Sequence, residues 1–211
     1  MQTYKGKPWL YFVLGLFLAA LGIAVITKAN IGNAPITTLP YVLCLVFPVS
    51  LGVTTFVINA LMVIAQIVIL GEKFQKMQYL QFGAAFALGV FIDISLFFIT
   101  MINPEIYIFK ILTILIGSIF LSLGISIQLK QNLILLPGEG LIKVIADKLS
   151  KEFGLTKVAF DVSVVVISII LSFVCLEKLE GVREGTIILS LTTGIYIRFF
   201  MKKFEHINKS I

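Results

Sequence analysis

The residues of this chain that could do chemistry are few, and most lie near two short segments rich in Gly, Pro and Asn. The first segment, KANIGNAPITTLP, runs from Lys28 to Pro40, and the second, KQNLILLPGEG, runs from Lys130 to Gly140. Amide and hydroxyl side chains and the free N–H groups at a helix start can bind polar ligands, and a carboxylate such as that of Glu139 can bind a cation or a proton. No nucleophile stands beside a base, so we expect ligand binding without catalysis, and no cofactor.

The composition indicates a membrane protein. The hydrophobic fraction is 59%, the mean hydropathy is +1.06 and only 13% of residues are charged, whereas soluble domains carry about 25% charge. So much apolar surface cannot be hidden from water in a chain of 211 residues, which predicts a multi-pass membrane protein whose main partner is the lipid bilayer. Cys44 and Cys175 each lie in an apolar stretch, so we expect free thiols.

The apolar runs predict an all-α fold with six membrane-spanning helices and two short helices. The predicted spans are Trp9–Thr27, Val53–Leu70, Tyr79–Thr100, Ile106–Gln128, Thr156–Cys175 and Thr186–Met201. The short helices cover about Pro35–Phe47 and Pro137–Ser150. At a rise of 1.5 Å per residue each is roughly 20 Å long, which is less than the hydrocarbon core of a bilayer, about 30 Å. They are therefore predicted to be re-entrant or interfacial.

The basic residues favour one orientation in the membrane. With both termini cytoplasmic and neither short helix crossing, thirteen Lys and Arg residues fall on the inner side, and only Lys28, Lys110, Lys178 and Arg183 fall outside. This is the positive-inside pattern of a cytoplasmic membrane protein. Most of the net charge of +6 then lies beside anionic lipid headgroups, so it implies no nucleic-acid partner.

The two polar segments belong to a sequence repeat. A shift of 102 residues, without a gap, aligns Gly15 with Gly117, Gly22 with Gly124, Lys28 with Lys130, Asn30 with Asn132, Pro35 with Pro137, Gly52 with Gly154 and Asn59 with Asp161. A shift of 105 residues aligns Gly89 with Gly194 and Asp93 with Arg198. Each half has three spans, an odd number, so the halves enter the membrane from opposite sides. We predict one membrane domain made of two inverted repeats, residues 1–103 and 104–211, a plan common in transporters.

Each repeat places a polar loop before a short helix that begins at a Pro, a residue suited to the first helical turn. If the loops dip into the membrane, both helix starts face the interior and offer N–H groups to an anion or another acceptor. The alternative is that both helices lie flat at the interfaces and only connect spans. The candidate ligand-binding residues are Asn30, Asn33, Pro35, Thr37, Asn59, Asp93, Asn132, Pro137, Gly138, Glu139 and Asp161.

Several of these candidates also have a purely structural interpretation. A carboxylate inside a span is costly unless it is protonated, paired or hydrated, so Asp93 could make a buried hydrogen bond within the fold. Asn59 and Asp161 could bond the backbone of a neighbouring loop. Glu139 lies in the first turn of its helix, where a carboxylate interacts favourably with the helix dipole by roughly 0.3–1 kcal/mol.

At these motifs the chain resembles a known family. The pattern Ala29-x-Ile31-Gly32-x-x-Pro35, then Ser50-Leu51-Gly52 and Gly89-x-x-Ile92-Asp93, resembles the first half of the YczE-like bacterial integral membrane proteins (the YczE/YyaS/YitT group). In the second half, Pro137-Gly138-x-Gly140-Leu141 and the stretch from Gly181 to Thr186 fit as well. Two positions depart from the family pattern: Ile36 stands where the family usually has Trp, and Leu133-Ile134 stands where it has Leu-Gly. The resemblance implies a bacterial cytoplasmic membrane location and names no substrate.

Three functions stay compatible with these residues. The favoured one is a membrane transporter of a small polar or anionic solute that binds where the repeats meet. The second is a substrate-capture subunit of a larger uptake complex, with a cytoplasmic partner. The third is a membrane accessory or sensor protein without transport. A homodimer is left open, and an enzyme is the least expected outcome.

The topology prediction is tested by labelling single cysteines from the outside of intact cells. A membrane-impermeant maleimide should modify a Cys placed at Asn103 and leave one at Gln75 unmodified, because the orientation puts residue 103 outside and residue 75 inside. The reverse labelling pattern would contradict both the orientation and the span count.

Overall fold

A computed structural model of the protein covers residues 7–101 and 103–209. The described residues form eight α-helices and no strand. The helices are α1 Lys7–Ala29, α2 Pro35–Val46, α3 Leu51–Leu70, α4 Leu80–Phe98, α5 Tyr107–Gln131, α6 Pro137–Leu149, α7 Phe153–Leu176 and α8 Glu184–Lys209. The termini, residues 1–6 and 210–211, lie outside this part, so their cytoplasmic location stays a prediction.

Five helices are long and apolar enough to cross a membrane: α1, α3, α4, α5 and α7. This confirms a multi-pass helical membrane protein. Helix α8 has 26 residues, about 39 Å at 1.5 Å per residue, but Arg198 and the two lysines after it lower its hydropathy, so the sixth span stays a prediction. The short helices α2 and α6 begin at Pro35 and Pro137, as predicted, and each Pro occupies the first helical turn.

Helices α1 and α5 run antiparallel through the centre and meet through glycines. A Cβ atom on Gly15 would lie 2.8 Å from the carbonyl oxygen of Gly124, and one on Gly22 would lie 2.7 Å from that of Gly117. Both distances are shorter than a real Cβ atom allows. Small residues of this kind let two helix backbones come close in a membrane, where packing supplies much of the association energy.

The other helices surround this central pair in a pattern that recurs between the halves. Helix α4 packs on α1 and α8 packs on α5. Each short helix packs on a long helix of the other half, α2 on α7 and α6 on α3. Hydrogen bonds join these crossed pairs: the Thr38 and Ser168 hydroxyls are 2.9 Å apart, and the Gln66 amide donates to the carbonyl of Pro137 at 3.1 Å.

One helix pair departs from this pattern. Helices α3 and α4 pack along each other, with Gly52 beside Gly89. Over their described residues, α7 and α8 have no comparable packed seam. The bundle is therefore closed between α3 and α4 and looser between α7 and α8.

The central glycine contact predicts a stability difference between two Gly→Ala variants. Gly22→Ala should lower the melting temperature of the detergent-solubilised protein, because the new methyl group overlaps the backbone of α5. Gly83→Ala is the matched control: that glycine lies in α4 with nothing within 4 Å of an added Cβ, so the variant should be neutral or slightly more stable. Equal melting temperatures for both variants would contradict the packing.

Candidate functional site

A cavity of about 200 Å³ lies between the two halves, and all eight helices contribute to its wall. The starts of α2 and α6 meet there. The side chain of Ile36 lies against Gly138 so closely that a Cβ on this glycine would overlap the Ile36 Cδ1 atom. Both helix starts therefore lie within the bundle, between the long helices.

Two sets of polar side chains line this cavity. The same shift of 102 residues that relates the halves relates the members of the two sets. We name them the neutral trio, Thr37, Thr55 and Asn59, and the charged trio, Glu139, Lys157 and Asp161. Equivalent positions thus hold uncharged hydrogen-bonding groups in the first half of the chain and ionisable groups in the second half.

The charged trio comes from α6 and α7. The Lys157 ammonium lies 3.1 Å from Asp161 Oδ2, one helical turn away. Glu139 keeps some contact with the cavity but lies well below the protein surface, and this burial raises the pKa of its carboxyl, while the charge of Lys157 acts in the opposite direction. The backbone N–H of Glu139 also acts to lower this pKa, and the residue lies in the first turn of α6.

The neutral trio leaves hydrogen-bonding capacity unused. Thr55 is only 2% exposed, and its hydroxyl has no partner in the described part of the chain; the Thr193 hydroxyl, also at the cavity, has none either. The Asn59 amide donates to the carbonyl of Thr55 at 2.8 Å. Helix α2 begins without a side-chain cap. Because a buried unpaired polar group costs about 1–3 kcal/mol, these groups favour a polar occupant of the cavity.

Six of the predicted site residues line the cavity: Pro35, Thr37, Asn59, Gly138, Glu139 and Asp161. Pro137 does not line it, and its carbonyl accepts the bond from Gln66. Asn33 is buried in the first loop, where its side chain accepts a hydrogen bond from Thr27 and its N–H donates to the carbonyl of Gly181.

Asn30 and Asn132 lie at the ends of α1 and α5, away from the cavity. Their φ angles are 53° and 47°, the left-handed conformation that often terminates a helix. Asn adopts this conformation more readily than most residues. Their alignment in the repeat thus reflects equivalent helix ends.

Asp93 also lies away from the cavity and holds the start of α3. Its carboxylate accepts hydrogen bonds from the Ser50 hydroxyl and, at 2.8 Å, from the N–H of Gly52. This is the structural interpretation of Asp93: the carboxylate satisfies the orphan N–H groups of a helix start.

Comparison with known proteins places the chain in a family over nearly its whole length. Residues 6–202 match a family of unknown function, DUF6198. The chain belongs to this family. No curated protein and no solved structure matches it. The resemblance to the YczE-like proteins stays a prediction.

Sequence reasoning missed four polar residues at the cavity of this DUF6198 member: Thr55, Lys157, Ser190 and Thr193. A signal was available for two of them. Lys157 precedes Asp161 by one helical turn, so both lie on one face of α7, and the shift of 102 residues aligns Lys157 with Thr55. Ser190 and Thr193 carry no comparable signal, because the rotation of α8 decides that they line the cavity.

The ion pair in the charged trio predicts a rescue by a second substitution. Lys157→Met should lower stability by about 1 kcal/mol, or about 2–4 °C, because it leaves two carboxylates without their cation. Adding Asp161→Asn should recover most of the loss in a thermal melt. Lys178→Met removes a more exposed pair with Glu180 and should change little. Equal losses for Lys157→Met with and without Asp161→Asn would contradict the pairing.

Proposed function

We propose that the protein transports a small polar solute across the membrane and binds it in the cavity between two inverted repeats, residues 1–103 and 104–211. The observation that carries the proposal is that the starts of both short helices meet at this cavity, beside unpaired hydroxyl groups. Binding between repeats, near the starts of broken or short helices, is a recurring arrangement in secondary transporters.

The inverted repeat is supported by reciprocal contacts. Helices α1 and α5 are equivalent in the repeat and run antiparallel, with Gly15 against Gly124 and Gly22 against Gly117. The shift of 102 residues relates Gly15 to Gly117 and Gly22 to Gly124, so it turns the first of these contacts into the second. The crossed pairs are reciprocal as well. The contact between Thr38 of α2 and Ser168 of α7 has its equivalent in a contact between Gly140 of α6 and Gln66 of α3, where a Cβ on Gly140 would lie 2.7 Å from the Gln66 Oε1 atom.

Such reciprocal contacts between antiparallel equivalents support a two-fold axis perpendicular to the helices, which in this proposal lies in the membrane plane. In this proposal α8 is the sixth span, α2 and α6 are re-entrant, and both termini lie on the cytoplasmic side of a bacterial cytoplasmic membrane.

The charged groups at the cavity restrict which kinds of solute can bind there. The neutral trio and the uncapped start of α2 offer donors to an acceptor such as a carboxylate or a carbonyl. The charged trio has one net negative charge when Glu139 is ionised, because Lys157 already pairs with Asp161. A bare anion would therefore be repelled. A zwitterion, or an anion accompanied by a cation at Glu139, fits both sets of groups.

Ligand binding is tested by thermal shift of the purified protein against a library of amino acids, amines, organic acids and phosphates. A ligand specific for the folded state raises the melting temperature. Because burial raises the pKa of Glu139, a solute held by its ionised form should bind more tightly as the pH rises through that pKa. Glu139→Gln should weaken binding and remove this pH dependence.

The matched control is Asp147→Asn, which neutralises an exposed carboxylate on the same helix. It should leave both the thermal shift and its pH dependence unchanged. If Glu139→Gln binds every hit as the wild type does, Glu139 is only a cap and the binding site is wrong. Uptake into proteoliposomes tests transport itself, and binding without uptake would favour a substrate-capture subunit.

A further inference from the structure

The two ends of the cavity differ in the way they are closed. At the seam between α3 and α4, a Cβ on Gly89 would lie 2.5 Å from the carbonyl oxygen of Gly52. Asp93 on α4 bonds the Ser50 hydroxyl and the Gly52 N–H at the start of α3. A tight glycine contact and a capping carboxylate therefore fasten this seam.

The equivalent residues of the second repeat are apart. Gly154 and Gly194 correspond to Gly52 and Gly89, yet a Cβ on Gly194 would meet nothing within 4 Å, and one on Gly154 would meet only a carboxylate oxygen of Glu152 at 3.5 Å. Gly194 faces the cavity. The glycines that would permit a tight seam between α7 and α8 are thus present but not in contact.

In the second repeat, two residues of opposite charge occupy the positions equivalent to Ser50 and Asp93. Glu152 corresponds to Ser50, and Arg198 corresponds to Asp93. Both side chains are exposed, and neither forms an ion pair within the part of the chain that the structure describes. If α7 and α8 met as α3 and α4 do, Glu152 and Arg198 would face each other.

The polar loops show the same difference. The first loop is tied to the turn before α8: the Asn33 N–H donates to the carbonyl of Gly181, and the Gly185 N–H donates to that of Ile31. The second loop, residues 132–136, makes no such backbone bond to the turn at 71–79 among the described residues. Hydrogen bonds therefore close the end of the cavity at the seam between α3 and α4, and the end at the seam between α7 and α8 has no equivalent bonds among the described residues.

We propose that the seam between α7 and α8 is the gate of the cavity. It closes when Gly154 comes against Gly194 and Glu152 pairs with Arg198. At the same time the seam between α3 and α4 opens, and the Asp93 carboxylate loses its hydrogen bonds to Ser50 and Gly52. The proposal rests on the proposed transport function, since alternating access exchanges the conformations of inverted repeats. With both termini inside, the loose seam lies at the cytoplasmic end, and the structure is the inward-open state.

The gate is tested by cross-linking in isolated membranes, in a background where Cys44 and Cys175 are replaced by Ala. The double variant Gly154→Cys/Gly194→Cys should form an intramolecular disulfide with copper phenanthroline, because the gate closes part of the time. Glu152→Arg or Arg198→Glu alone should lower its yield about twofold to fivefold, the range expected for an exposed ion pair. The charge exchange Glu152→Arg/Arg198→Glu should restore it, and the control Lys203→Glu, at an exposed lysine that is not one helical turn from Arg198, should not change it.

A second pair, Glu152→Cys/Arg198→Cys, should also cross-link, so the test does not depend on the glycine positions alone. The gate proposal is contradicted if neither pair cross-links in protein that keeps the wild-type melting temperature. It is also contradicted if the cross-linking yield does not change with the charges at positions 152 and 198. Cross-linking needs no ligand and no flux. Absent uptake with an intact cross-linking pattern would contradict transport, whereas uptake without cross-linking would contradict the gate alone.

Discussion

The close antiparallel contact between α1 and α5 is the interaction on which the rest of the structure depends. Lipid chains are as apolar as Leu, so burying apolar surface between helices yields little in a membrane, and association relies on close packing. Gly15, Gly22, Gly117 and Gly124 provide that packing because each lies where a side chain would overlap the opposing backbone. This contact joins the two halves at the centre of the bundle, and α1 and α5 both contribute to the wall of the cavity.

The cavity follows from the way the short helices cross between the halves. Helix α2 packs on α7 and α6 packs on α3, so both begin in the interior and neither is long enough to fill it. Their starts bring Thr37 and Glu139 to a place where α3, α7 and α8 also present polar side chains. The different residues at equivalent positions then give the cavity both uncharged and ionisable polar groups.

Some predicted residues do not reach the cavity because one residue type serves two purposes. An Asn after a helix can terminate it in the left-handed conformation or bind a ligand, and the sequence pattern is the same for both; Asn30 and Asn132 do the former. A lone carboxylate in an apolar run is equally ambiguous. Asp93 finds its partners more than 40 residues away, at Ser50 and Gly52, and only the packing of α4 on α3 identifies them.

The sequence alone determined the membrane class, the positions of both short helices and the register of the repeat, because hydropathy, a Pro in the first helical turn and paired motifs are local properties of the chain. Tertiary structure decided that Thr55, Lys157 and Thr193 face the cavity. It also decided that the seam between α3 and α4 is tight while its equivalent is loose. The physical reason is that the rotation and separation of packed helices depend on which small residues meet across the bundle, and one chain segment does not contain that information.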